Sequence, residues 1–178
     1  WIDLYVTDPI GKNTLYRNNG NGTFSVSNLA DQVSLTNTYS QGGTFADYDN
    51  DGWKDLLVVN WGQDHLFHNE NGKGFVDVSF QAGIKDDRNS KSASWGDYDN
   101  DGDLDMILAP ANGEFIDNLK FLRNTGTAAG ANFVLEQQNL IDNIDVGRSA
   151  FPALADIDGD GDLDLFIGGG DGMIAHYE

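Results

Sequence analysis

Three short apolar runs stand out from a polar chain: Leu56-Leu-Val-Val59, Met106-Ile-Leu-Ala109 and Leu165-Phe-Ile167. None of them alternates with polar residues. Such a run suits a β-strand covered on both faces, as sheets packed against neighbouring sheets require. A strand-like segment stands upstream of each run: Gly43-Thr-Phe-Ala46, Ser92-Ala-Ser-Trp-Gly96 and Ala150-Phe-Pro-Ala-Leu-Ala155. A third kind of segment ends in a polar residue and an asparagine: Leu15-Tyr-Arg-Asn18, Leu66-Phe-His-Asn69 and Phe121-Leu-Arg-Asn124. The related His176-Tyr-Glu178 stops one residue short of that asparagine. Turn-forming residues follow, Asn19-Gly-Asn-Gly22 and Glu70-Asn-Gly-Lys-Gly74. A fourth, alternating strand comes next: Thr23-Phe-Ser-Val26, Gly74-Phe-Val-Asp-Val78 and Asn132-Phe-Val-Leu135. Helical periodicity is almost absent, and residues 28–35 and 80–87 read as irregular connections.

The pattern is a repeat. Asp55, Asp105 and Asp164 occupy one position, each just before an apolar run. Trp1-Ile-Asp-Leu-Tyr-Val6 matches Trp53-Lys-Asp-Leu-Leu-Val58, so Asp3 stands in the place of Asp55. The spacings are 52, 50 and 59 residues, the length of a four-stranded propeller blade with some longer loops. The prediction is an all-β fold, a β-propeller segment of about three and a half four-stranded blades. Residues 1–178 form one segment, with a partial blade at 1–30, blades at 40–80 and 91–137, and a partial blade at 148–178. On this reading the chain is an excerpt of a longer protein or a unit of an assembly. The longest insertions are 110–118, 125–131 and 138–148. Long loops on a regular scaffold are where binding usually resides.

Between the first and second strands lies D-x-D-x-D-G-x-x-D, written three times: Asp47 to Asp55, Asp97 to Asp105 and Asp156 to Asp164. Four carboxylates in nine residues repel one another unless a cation sits among them. The spacing lets a tight loop point them inward, and the glycine supplies the sharp turn. Positions one, three and five offer side-chain oxygens: Asp47, Asp49 and Asp51; Asp97, Asp99 and Asp101; Asp156, Asp158 and Asp160. Position seven offers its backbone carbonyl, so Trp53 serves where Asp103 and Asp162 stand. Position nine, Asp55, Asp105 or Asp164, closes the shell. Hard oxygen donors in a crowded, flexible loop favour Ca²⁺ over zinc, copper or Mg²⁺. Three Ca²⁺ sites that hold hairpins are therefore expected, with no catalytic role, and Asp3 should bind no metal.

Three other readings stand beside this one. An EF-hand needs a glutamate at position twelve, where this chain has Val58, Leu108 and Ile167, and it needs flanking helices. A dockerin-type repeat has a similar aspartate loop but is short and helical. Acidic hairpin turns account for one copy but poorly for three in register.

Charge narrows the function. The chain carries 29 acidic and 10 basic residues, net −19. That argues against nucleic acid and against anionic membrane surfaces. Twelve aspartates stand at positions one, three, five and nine of the three loops, Asp103 and Asp162 lie inside two of them, and three Ca²⁺ would bring the net charge to −13. Without cysteine, no disulfide or thiolate chemistry is available. No apolar run approaches the length of a membrane span. His65, His68 and His176 read as ordinary strand residues. Trp53, Trp61 and Trp95 read as packing between blades, with sugar stacking as the alternative. Gly168-Gly-Gly-Asp-Gly172 joins two strands and opens no helix, which argues against a phosphate cradle. No Gly-x-Ser-x-Gly or His-Glu-x-x-His motif is present. The chain's one glycosylation sequon is Asn21-Gly-Thr23, for which chance occurrence is the default.

These residues resemble the FG-GAP/VCBS repeat family, whose propeller blades also occur in integrin α-subunits. The resemblance rests on Phe45-Ala-Asp-Tyr-Asp-Asn-Asp-Gly52 with Asp55-Leu-Leu-Val58, and on the corresponding pieces at 95–108 and 154–167. Asn18 to Phe24 and Phe75 to Ile84 also look like the segments between strands of bacterial members. The resemblance implies an extracellular, calcium-stabilised propeller, secreted or at the cell surface, used for adhesion or ligand binding. It implies an extracellular protein or glycan partner, or further copies or blades of the same protein. Two alternatives are an accessory part of a carbohydrate-active enzyme, such as a polysaccharide lyase, and a structural subunit whose end blades are completed by neighbouring copies.

Overall fold

The computed structural model describes residues 2–36, 38–84, 89–111, 119–127, 130–137 and 149–177. Trp1, the end of the 80–87 connection, most of the 110–118 insertion, part of the 125–131 insertion, the loop 138–148 and Glu178 lie outside the described residues.

Four antiparallel meanders form the fold. The first sheet holds β1 (Leu4–Val6), β2 (Thr14–Asn18) and β3 (Phe24–Val26). The second holds β4 (Ser40–Ala46), β5 (Asp55–Asn60), β6 (His65–Asn69) and β7 (Phe75–Asp77). The third holds β8 (Ser90–Gly96), β9 (Asp105–Pro110), β10 (Lys120–Asn124) and β11 (Phe133–Gln137). The fourth holds β12 (Phe151–Ala155), β13 (Asp164–Gly168) and β14 (Ile174–Tyr177). Leu4 pairs with Tyr16 as Leu56 pairs with Phe67, Met106 with Leu122 and Leu165 with Tyr177. That shared register makes β1–β3 the second to fourth strands of a blade, and β12–β14 the first to third. The fold is all-β, with blades stacked as in a propeller. A 3₁₀ turn at Ala30–Gln32 is the one helical element among the described residues.

The non-alternating runs are explained by burial on both faces. Leu56 and Val58 of β5 pack toward the first sheet with Leu15, Val33 and Phe67. Their neighbours Leu57 and Val59 face the third sheet, against Met106, Leu108 and Leu122. In β9, Met106 and Leu108 look back at the second sheet, whereas Ile107 and Ala109 meet Leu165 and Ile167 of the fourth. β5 and β9 are thus the filling between two blades, and polar residues on either face of them would be stranded. The inter-blade connections wedge into the same seams. Val33 and Ile84 are buried, and the Tyr5 hydroxyl donates to Val33 O at 2.7 Å.

The first strands β4, β8 and β12 lie next to one another, so the sheets fan outward from them. β4 and β8 begin earlier than the pattern predicts, at Ser40 and Ser90. Each passes a bulge near its start, between Ser40 and Gly42 and between Ser90 and Ser92. Small polar residues conceal the strand in the sequence, yet close approach demands them. A Cβ on Gly43 would lie 2.8 Å from the ring of Tyr5 in the preceding sheet.

At the blade ends away from the acidic loops, buried polar groups join neighbours. The Asn13 amide donates to Ser40 Oγ at 2.8 Å, and Ser40 Oγ donates to Asn60 Oδ1 at 2.7 Å. One blade further on, Ser90 Oγ donates to Asp64 Oδ2 at 2.6 Å.

Candidate metal centres

Each acidic loop links a first strand to a second, and its geometry is set by local hydrogen bonds. Position one receives two backbone amides. Asp47 accepts from Asp51 N at 3.0 Å and Gly52 N at 3.0 Å, and Asp97 accepts from Asp101 N at 3.0 Å and Gly102 N at 2.9 Å. Asp156 accepts from Gly159 N at 2.7 Å and Gly161 N at 3.2 Å. Position five accepts from position seven: Asp51 from Trp53 N, Asp101 from Asp103 N and Asp160 from Asp162 N. These contacts curl the loop so that its carboxylates converge. The curl needs left-handed backbone at position four (Asn50 φ 58°, Asn100 φ 56°, Gly159 φ 80°) and at position six (Gly52 φ 94°, Gly102 φ 95°, Gly161 φ 98°). Asparagine tolerates the milder of these conformations, and glycine is required near +95°.

Position nine serves as a staple. Asp55 Oδ2 accepts from Tyr48 N at 3.2 Å and Oδ1 from Asn69 N at 2.8 Å. Asp105 repeats this with Tyr98 N at 3.0 Å and Asn124 N at 2.8 Å. Asp164 accepts from Ile157 N at 3.0 Å, and His176 Nε2 lies 3.2 Å from its other oxygen. Asp3 accepts from Asn18 N at 2.9 Å, the same bond without a loop before it. The recurrent asparagine closes this end of the blade. Its side-chain N–H reaches Ile2 O or Lys54 O at 3.0 and 2.9 Å. Its Oδ1 takes the amide of Gly20, Gly72 or Gly126 from the following turn. The repeat pattern flagged these asparagines without indicating that role.

Carboxylate oxygens gather within 4.8 Å of one another in all three loops: Asp47, Asp49 and Asp51; Asp97, Asp99 and Asp101; and Asp156, Asp158 and Asp164, with the expected Asp105 and Asp160 outside these groups. A further group joins Asp49, Asp55 and His68. Two observations fit a cation in these loops. Burial, then the charge of Asp51, raises the Asp49 carboxyl, and burial raises Asp105 and lifts Asp55 to about 6. Both oxygens of Asp99 are buried without an aligned hydrogen-bond donor, although Arg123 Nη2 lies 2.5 Å from one of them. Converging carboxylate oxygens of this kind suit a hard divalent ion. Asp164 differs. The amide of Ile157 holds its carboxyl below the usual range.

Some sequence expectations need correction. His68 is no ordinary strand residue, because its Nδ1 lies 3.3 Å from Asp49 Oδ2 and 3.2 Å from Asp55 Oδ1. The equivalent place in the next blade belongs to Arg123 against Asp99. His176 likewise meets Asp164 and stacks on Phe166. Trp53 and Trp61 do not fill the seams between blades; they are 44% and 52% exposed, and Trp53 covers the turn at Gly72. Trp95 alone of these three packs against an inter-blade core, edge-on to Phe133. The side chain of position seven also has a partner that the spacing did not suggest. Asn50 Nδ2 donates to Gly102 O at 2.9 Å and reaches Asp103 Oδ1 at 3.4 Å, and Asn100 Nδ2 donates to Asp162 Oδ1 at 3.2 Å. Asn21 sits in an exposed turn, where its Oδ1 accepts from Thr23 Oγ1 at 2.6 Å.

The sequence profile of the FG-GAP-like repeat matches residues 1–58 and 47–108, each match spanning a staple aspartate and the strand behind it. The chain belongs to the FG-GAP-like repeat family. It is similar to cartilage acidic protein 1 of Xenopus tropicalis, with 29% identity over 185 residues, 96% of this chain and 27% of that protein. It is also similar to cartilage acidic protein 1 of Mus musculus, with 26% identity over 180 residues, 96% of this chain and 27% of that protein. The chain thus spans about a quarter of the length of these relatives. No helix among the described residues is long and apolar enough to cross a membrane.

Proposed function

We propose that this FG-GAP-like segment is an extracellular calcium-binding propeller module that binds a protein or glycan ligand, with calcium in a structural role. The observation that carries the reading is the convergence of carboxylates in three loops of one design. The loops hold the hairpin between the first and second strands of a blade, where an ion would offset the mutual repulsion of four acidic groups. Asp47, Asp49, Asp51 and Asp55 would supply side-chain oxygens in the first loop, with the Trp53 carbonyl. The second loop would use Asp97, Asp99, Asp101 and Asp105 with the Asp103 carbonyl. The third would use Asp156, Asp158, Asp160 and Asp164 with the Asp162 carbonyl. A bound Ca²⁺ supplies charge neutralisation and a fixed coordination shell. In this reading the carboxylates serve metal, and none is assigned to catalysis.

An extracellular setting is supported by family membership, by similarity to proteins named for cartilage and acidity, and by this chain's own net charge of −19. Glycan as a ligand class is favoured by exposed aromatic surface. Tyr39 and Trp61 are both exposed and joined through the bond from Trp61 N to Tyr39 O at 2.9 Å. Aromatic faces of this kind offer apolar area with little entropy to lose.

Equilibrium dialysis tests the metal, with three bound calcium ions expected per chain. Binding to immobilised glycans and matrix proteins, in calcium and in chelator, tests the module. Calcium-dependent capture of one ligand class supports the reading, and a chain that retains no calcium overturns it.

A further inference from the structure

The three loops are not separate. Position four of one loop reaches the next loop, and only through its side chain. Asn50 holds the Gly102 carbonyl at 2.9 Å and approaches Asp103 Oδ1 at 3.4 Å. Asn100 holds Asp162 Oδ1 at 3.2 Å. The receiving residues are positions six and seven, the segment whose backbone must be oriented to offer a carbonyl to a metal. The donating asparagine sits between two ligand residues of its own loop, Asp49 and Asp51 or Asp99 and Asp101. Anything that fixes those two aspartates fixes the asparagine between them. The residue types follow the contacts. Aspartate stands at position seven in the two loops that receive an asparagine, and tryptophan in the loop that receives none from the described residues. The third loop has Gly159 at position four, with no side chain to donate.

We infer that Asn50 and Asn100 are positioning residues that couple calcium binding in adjacent loops, so that filling one loop tightens its neighbour. The inference rests on the calcium reading of the loops. Binding energy in one loop removes freedom from the asparagine, and its hydrogen bond then removes freedom from the next loop's position six to seven segment. The coupling is reciprocal, so each loop of a joined pair helps the other equally. One exposed hydrogen bond supports a coupling of about 2- to 10-fold in affinity.

The test uses calcium titration of the full chain followed by amide NMR. The amides of Gly52, Gly102 and Gly161 each donate to position one of their own loop, at 3.0, 2.9 and 3.2 Å, so each reports its own site. Asn50→Gly and Asn100→Gly remove the side chain and keep the left-handed backbone, as Gly159 does natively. Asp47→Asn alters a carboxylate of the first loop and none of the second. In the native background this substitution is expected to lower affinity at Gly102 by about 2- to 10-fold. In the Asn50→Gly background it should leave Gly102 unchanged, a coupling read as a double-mutant cycle. Asn50→Gly should leave the link between the second and third loops intact. Identical titrations at Gly102 with and without a working first site, in both backgrounds, overturn the coupling while leaving calcium binding in place. Glycine amides that never move up to millimolar calcium overturn the calcium reading, and the coupling with it.

Discussion

The first and third loops share one motif and nearly the same internal hydrogen bonds, yet they lie in different surroundings. In the first, Tyr48, Asp49 and Asp55 are buried, the third sheet packs alongside, and His68 Nδ1 stands against Asp49 and Asp55. In the third, Ile157 is 59% exposed and Asp158 is also exposed to solvent. Asp164 is covered by its immediate contacts, but little protein surrounds it further out. The consequence is electrostatic. Burial lifts the Asp55 carboxyl to about 6, whereas the Ile157 amide lowers that of Asp164. Nine residues set the curl of a loop, and the neighbouring blade sets how strongly its charges oppose the fold. Of these two loops, the first is the one in which a bound cation would relieve more repulsion.

The largest expected effect comes from removing the staples. Asp55→Ala strands the buried amides of Tyr48 and Asn69 and should cost about 2–5 kcal/mol of stability. Asp164→Ala should cost less, because water can reach the groups left behind. Urea unfolding of both variants in calcium measures the gap, and equal losses would erase the distinction between the loops.

A second effect is smaller and depends on pH. In chelator, Asp55 has a folded pKa of about 6 against an ordinary 3.8. It binds more protons in the folded state, so its contribution to stability is fully present below about 3.8 and is lost as pH rises through about 6. Asp164 has the opposite sign, with stability present above the ordinary value and lost as acid protonates it. Relative to native protein in chelator, Asp55→Asn should therefore fare better above pH 6 than at pH 4, and Asp164→Asn should show the reverse trend. Unfolding curves at the two pH values read both slopes.

The smallest expected effect is at Trp53. Its ring lies over Gly72 and its part in the loop is a carbonyl, so Trp53→Ala should keep three calcium ions per chain with a stability loss of about 1 kcal/mol or less. Calorimetric titration checks the number, and a drop to two would place the side chain in the site.

Much of this architecture was legible in the sequence because it is local or periodic. The second strands, the acidic loops that lead into them and the hidden copy at Asp3 follow from pattern and spacing, and the register pairing Leu4 with Tyr16 bears out that copy. The starts of β4 and β8 were not legible, since serine and glycine are chosen there for inter-blade clearance rather than strand propensity. Nor were the contacts of His68 with Asp49 and of Asn50 with Gly102, or the joints from Asn13 to Ser40 and from Asp64 to Ser90. These partners stand 19 to 52 residues apart, except where a joint repeats, and no local pattern announces them. Trp53 and Trp61 misled because they stand in connections outside the strands, whereas the aromatic residues that do fill the seams, Trp95, Phe67 and Phe133 among them, lie on strands.

Calcium in these loops, if it holds the hairpins as proposed, stabilises the folded chain. Thermal unfolding of the full chain, in excess calcium and again in chelator, tests it most directly. A ligand that binds only the folded state raises its stability with concentration. The account predicts a midpoint that is higher in calcium and climbs as calcium increases, and that falls when chelator is added. An identical midpoint in calcium and in chelator would contradict it.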